Sequence, residues 1–215
     1  MLKQLFSVFL QSRCLLCDRT SATSVCQYCL QGLSKYQFSH ENRLKLQRNL
    51  SVFAWGKYDG ELKRAIARLK YNNKPEIGIL LGQLLGQAWL DSGLDKSLLK
   101  ATIVPIPMHQ SKFKARGFNQ AEVIAKSFCR TTGYSFNSRA IVRTKATKAM
   151  FDLSPEERRN NLHSAFQVGD KLPKTPVLLV DDIYTTGTTT KEVTKILQQH
   201  VKVFGAVVIA KTDGK

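Results

Sequence analysis

VLLVDDIYTTGTTT, residues 177–190, decides how this chain folds. Val177, Leu178, Leu179 and Val180 form an unbroken apolar run, the pattern of a parallel strand covered on both faces. Such a strand belongs inside an α/β sheet. At its carboxyl end stand Asp181 and Asp182, then Thr185, Thr186, Gly187, Thr188 and Thr189, then a helical pattern from about Thr190 to Gln199. That order puts the loop at a helix N-terminus, where free backbone N–H groups and the helix dipole favour a phosphate. Gly187 lets the backbone come close, and the threonine hydroxyls add donors. Carboxylates just upstream can accept hydrogen bonds from vicinal ribose hydroxyls and help hold Mg²⁺, which takes oxygen ligands and keeps several waters. In an extended strand Asp181 and Asp182 point to opposite faces, so both serve one ligand only if the strand has ended by Asp182. Simple helix capping by Asp182 and the threonines is the competing account of the same residues.

The segment resembles the phosphoribosyl-pyrophosphate (PRPP) motif of type I phosphoribosyltransferases: four apolar residues, two acidic ones, two more, then a Thr-Gly loop. The rest of the chain has to be consistent with that. Its 215 residues can bury a sizeable core and leave room for a small appended module. A net charge of +17 points toward a polyanionic partner such as nucleic acid or anionic lipid. The excess is localised, with 13 Lys/Arg against four Asp/Glu in residues 1–75 and 11 against four in residues 110–160. No run approaches the roughly 18 apolar residues of a membrane span, and MLKQLFSVFL at the N-terminus reads as a short docking helix rather than a signal peptide.

Cys14, Cys17, Cys26 and Cys29 form two CxxC knuckles, while Cys129 lies apart in the helical pattern AEVIAKSFCR and reads as a small core residue. Each knuckle puts two thiolates on one turn, and two turns can close a structural Cys₄ zinc shell. Two disulfides or redox-active pairs are the rival readings of this spacing.

FAWGKYDGELKRAIARLKYNNKPEIG reads as a strand, a turn at Asp59 and Gly60, a helix from about Glu61 to Lys70 and a break at Pro75. Lys63, Arg64, Arg68 and Lys70 make part of that helix basic. Gly78, Gly82 and Gly86 then recur every four residues, a small-residue stripe for close packing on a neighbouring helix. ATIVPIPMHQSKFKARGFNQAEVIAKSF offers a second strand, Thr102 to Ile106, a basic loop with Lys112, Lys114 and Arg116, and a helix opening near Phe118. Transfer at ribose C1′ needs fixed positive groups and Mg²⁺ on the departing pyrophosphate, which makes Arg116 the first candidate and Lys112 the second. The four histidines, His40, His109, His163 and His200, show no spacing that makes a metal or catalytic site.

The series CxxC…CxxC, YDGELKRAIARLKY, VPIP, RGFNQAE, ERRNNLHSAF and LLVDDIYTTGTT resembles ComF-type competence proteins in content and order over nearly the whole chain. The resemblance implies a zinc module, residues 1–45, joined to a phosphoribosyltransferase-like domain, residues 46–215. It implies a mainly parallel twisted α/β sheet with helices on both faces, centred on strands near 102–106, 176–181 and 203–210. It also implies a cytoplasmic protein, able to act peripherally at the inner membrane, that helps single-stranded DNA enter during natural transformation alongside a competence helicase and DNA-processing proteins. On that reading Asp181, Asp182 and Arg116 serve the reaction centre. Thr185, Thr186, Gly187, Thr188, Thr189 and Lys112 hold PRPP with Mg²⁺, and Lys70, Lys112, Lys114, Arg116 and Phe118 meet DNA. Residues 143–166 form a lid over the site, where Met150 stands in place of the family's usual glutamine. An active phosphoribosyltransferase working on a nucleobase or related acceptor is the alternative reading.

Overall fold

The computed structural model describes residues 12–47, 50–98, 100–145 and 165–212. The N-terminal docking helix, Met150, His163 and most of the expected lid lie outside the described residues. In chain order the elements are β1 (Ser12–Arg13), β2 (Thr20–Ser21), α1 (Gln27–Ser34), β3 (Leu44–Gln47), β4 (Leu50–Lys57), α2 (Gly60–Tyr71) and α3 (Pro75–Asp91). There follow β5 (Thr102–Pro105), α4 (Gln110–Arg116), α5 (Gln120–Thr132), β6 (Ser135–Phe136), β7 (Ile141–Arg143), β8 (Phe166–Val168), β9 (Val177–Tyr184), α6 (Thr188–Leu197) and β10 (Val203–Lys211).

Six strands form one sheet in the order β3-β4-β10-β9-β5-β6, parallel except for the β3–β4 pair. The mainly parallel α/β sheet is therefore as the apolar runs predict, with β5, β9 and β10 at its centre. The chain crosses from β5 through α5 to β6 on one side, and from β9 through α6 to β10 on the other. Crossovers to parallel strands keep one hand, so these opposite directions put the helices on opposite faces. Leu178 and Val180 accordingly face a core with Ile66 of α2, Leu81 of α3 and Ile124 of α5. Val177 and Leu179 face Val193 and Leu197 of α6. Each fully buried aliphatic side chain of this kind contributes about 1.5–3 kcal/mol.

The glycine stripe does what its spacing predicts. A Cβ at Gly82 would stand 2.5 Å from the Ile124 carbonyl oxygen, and one at Gly78 would stand 2.9 Å from Val123. Helix α3 thus lies against α5 closer than any larger residue permits. Two stretches differ from expectation. The basic residues 112–116 are not a loop but helix α4, capped by the His109 ring, whose Nδ1 accepts from the Ser111 amide at 3.1 Å. The helix after the threonine loop begins two residues early, at Thr188.

Candidate functional site

Strand β9 carries the acidic pair, and its two edges behave differently there. On one side β10 pairs with β9 as far as Tyr184. On the other side β5 pairs only from Thr102–Val177 to Pro105–Val180, with a last bond from the Ile106 amide to the Val180 carbonyl at 2.9 Å, and Pro107 has no N–H to carry the ladder further. The strand therefore continues past Asp182 along β10 but has ended by Asp181 along β5. The strand has therefore not ended by Asp182, contrary to the condition set by simple alternation, yet the open β5 edge lets both carboxylates line one space. Asp181 Oδ1 turns back to accept from the Asp182 amide at 2.8 Å, and both residues line a cavity of about 310 Å³. The cavity sits beyond the carboxyl ends of β5 and β9, where neighbouring crossovers diverge, the usual ligand crevice of an open α/β sheet.

Four cations share this cavity with the two carboxylates: Lys70, Lys112, Arg116 and Arg143. Lys70, from the end of α2, is 2.8 Å from Asp182 Oδ2, and Asp182 is 4% exposed. Burial works against the Lys70 ammonium, but the charges of Asp182 and Asp181 more than compensate and hold its pKa above the ordinary lysine range. Burial, with repulsion from Asp182 behind it, raises Asp181 to about 7. Burial also pushes Lys112 down, aided by the positive charges of Arg143, Arg116 and Lys70. Added negative charge beside Lys112 would offset the repulsion it feels from these neighbouring cations.

The turn RGFN positions Arg116 and, beside it, the Asn119 amide. Gly117 closes α4 in a left-handed conformation, φ +82°. Asn119 caps α5 by accepting from the Ala121 amide while its Nδ2 donates to the Ile106 carbonyl at 3.1 Å. The strand end after VPIP is thereby tied to the helix that follows the basic segment. Arg116 Nη1 donates to Gln120 Oε1, which fixes its guanidinium at the cavity wall.

Thr189 lines the cavity from the first turn of α6, while Thr185 and Thr186 are exposed and Thr188 is half-buried. Gly187 holds φ +71°, and a Cβ there would press on the Tyr184 hydroxyl, so any other residue strains the loop. Of the residues proposed for DNA contact, Lys70, Lys112 and Arg116 line the cavity. Lys114 is exposed on α4 and Phe118 is half-buried against the core, both outside the lining. Sequence reasoning missed Arg143, which lies over the Phe166 ring at 5.2 Å across the β7–β8 ribbon. Its strand is three residues long and carries no periodic signal.

The four cysteine Sγ atoms lie within 4.8 Å of one another. Zinc–thiolate bonds of about 2.3 Å at tetrahedral angles separate sulfurs by roughly 3.8 Å, and Cys17 and Cys26 are 3.8 Å apart. This donor set can hold a metal ion such as zinc. Burial opposes the Cys14 thiolate, yet backbone N–H groups of Cys26, Leu16 and Cys17 bring its pKa down to about 6. The knuckle is also clamped to α2 and to the start of α3: Arg68 of α2 donates twice to Asp18 Oδ2 at 2.9 Å, and Lys74, just before α3, donates to Oδ1 at 3.0 Å. Lys70 reaches into the cavity from α2 as well.

Comparison with known proteins adds lineage to this geometry. Competence protein F of Haemophilus influenzae is 30% identical over 189 residues, covering 84% of this chain and 82% of that protein. The chain belongs to the ComF family. Other ComF relatives include DNA utilization protein YhgH of Escherichia coli K12, 32% identical over 66% of this chain and 63% of its own length. Competence protein ComFC of Bacillus subtilis is 26% identical over 82% of this chain and 67% of its own length. No protein-family model matches the chain. Among the described residues, no helix of this ComF protein is long and apolar enough to cross a membrane.

Proposed function

We propose that this ComF protein binds a phosphoribosyl pyrophosphate-type ligand in the Asp181–Asp182 cavity and handles single-stranded DNA during uptake. One observation carries the reading: a carboxylate pair suited to ribose hydroxyls shares a single cavity with Lys70, Lys112, Arg116 and Arg143. Carboxylates alone would suit a cation, and cations alone any anion; the combination suits a sugar that bears phosphates. The Thr185–Thr189 loop at the start of α6 takes the sugar's 5-phosphate, and Lys112 and Arg116 face the pyrophosphate. Mg²⁺ bound with the ligand supplies charge neutralisation, with Asp181 and Asp182 as its oxygen ligands on the protein. Zinc in the Cys14, Cys17, Cys26 and Cys29 cluster is structural, since four thiolates leave no open position. The printed names of the relatives, competence and DNA utilization proteins, support the DNA role.

A second reading, an active phosphoribosyltransferase, is favoured by a further cavity of about 280 Å³ that shares Asn119 and Arg143 with the first. An acceptor there would bond to ribose C1′ as the C1′–O bond breaks and pyrophosphate leaves with the electron pair. Calorimetric titration of Mg·PRPP into wild type and into Asp181→Asn/Asp182→Asn tests the proposal. Binding is expected for wild type and should be lost in the double variant; its DNA affinity stays within a few-fold if the two sites are distinct, and equal loss of both ligands marks one shared site. Equal binding of Mg·PRPP by both proteins would refute it.

A further inference from the structure

The rim of the cavity holds a ring that its lining chemistry does not use. Tyr71 closes α2 and is 78% exposed, more than Phe113 at 44%, while Phe118 packs half-buried against the core. Arg116 Cζ lies over the Tyr71 ring, 5.9 Å from its centroid. Because so much of the ring is accessible, it has an open face besides the one under the guanidinium. Tyr71, Arg116 and Lys70 also line a separate cavity of about 260 Å³, closed by Asn73, Ala115 and Gly117. These three residues therefore form a wall common to two neighbouring hollows, the second of which also presents the Asn73 amide. Asn73 holds φ +49°, in the left-handed region that asparagine enters more readily than most residues.

We infer that Tyr71 and Arg116 form a stacking step that seats one base of a single-stranded nucleic acid, with the adjoining phosphates drawn toward Lys70 and Lys112. The inference rests on the DNA reading above and names its contact point. Base stacking on an aromatic ring tolerates any sequence, because every base has a π-face, and an arginine beside the ring adds to it. The Asn73 amide offers a donor and an acceptor to the base edge. A bare phosphate or a lipid headgroup would use the cations but gain nothing from an open tyrosine face.

The test uses the full chain and two fluorescent probes of equal length: single-stranded oligothymidylate, and the abasic deoxyribose-phosphate strand that has the same charge and no bases. Wild type should bind oligothymidylate more tightly than the abasic strand. Tyr71→Ala should lose roughly tenfold in affinity for oligothymidylate and almost none for the abasic strand, while Tyr71→Phe keeps the wild-type preference. Equal binding of the two strands by wild type, or parallel loss of both in Tyr71→Ala, overturns the stacking step and leaves the DNA reading standing. A wild type that binds neither strand overturns both. Since Tyr71 is exposed, the alanine variant should unfold at the wild-type temperature, and that melt confirms that any affinity lost is local.

Discussion

Replacing Asp181 with asparagine should stabilise the unliganded protein while removing its ligand. Burial and the neighbouring Asp182 charge raise Asp181 from the ordinary 3.8 to about 7. Between those values the folded protein keeps a proton that the unfolded chain has released, so stability falls as pH rises through that window and the penalty is complete above about pH 7. The distance corresponds to roughly 4 kcal/mol as an upper bound. Asp181 is only half-buried and opens onto the cavity, so solvent takes back part of this. We expect about 1–3 kcal/mol of added stability for Asp181→Asn at about pH 8, and almost none at about pH 4. Urea unfolding midpoints of both proteins across this range supply the measurement. A variant less stable than wild type at alkaline pH, or a gain that does not change with pH, refutes the argument that the two carboxylates repel in a partly desolvated site.

Three further outcomes follow from named contacts. Gly82→Ala drives a methyl group against the Ile124 carbonyl, and the overpacking should cost about 1–3 kcal/mol in a denaturant titration. Cys14→Ser should lower bound zinc, measured by atomic absorption, and reduce the melting temperature, because metal binding and folding of a thiolate cluster are linked. A wild type that is stable and wholly metal-free contradicts it. Replacing Lys112, Lys114 and Arg116 by alanine should flatten the dependence of DNA affinity on salt, because fewer counterions are released. The cavity assigns most of that change to Lys112 and Arg116, so Lys114→Ala alone should move the slope less.

The sheet was legible because four consecutive apolar residues before Asp181 admit little besides a buried parallel strand. The glycines every fourth residue likewise announced the α3–α5 contact. The orientation of Asp181 was not legible from alternation along one strand. It depends on where β5 stops, and Pro107 lies some seventy residues away in the chain. Residues 112–116 looked like a loop because their lysines mask a one-turn cap by His109 and a left-handed Gly117 that together define a short helix. Lys70 read only as part of a basic helix face that meets DNA, since nothing in its own helix indicates that Asp182 stands at its tip. Arg143 carried no local signal at all. In each case the missing information was a tertiary contact between segments distant in sequence.

The central claim is that the acidic pair and the surrounding cations bind a phosphorylated sugar, and phosphorus NMR of Mg·PRPP with stoichiometric protein tests it most directly. Wild type should broaden or shift the pyrophosphate and 5-phosphate signals, and Asp181→Asn/Asp182→Asn should leave free-ligand spectra. Signals that stay sharp and unshifted in the presence of folded wild-type protein contradict the claim.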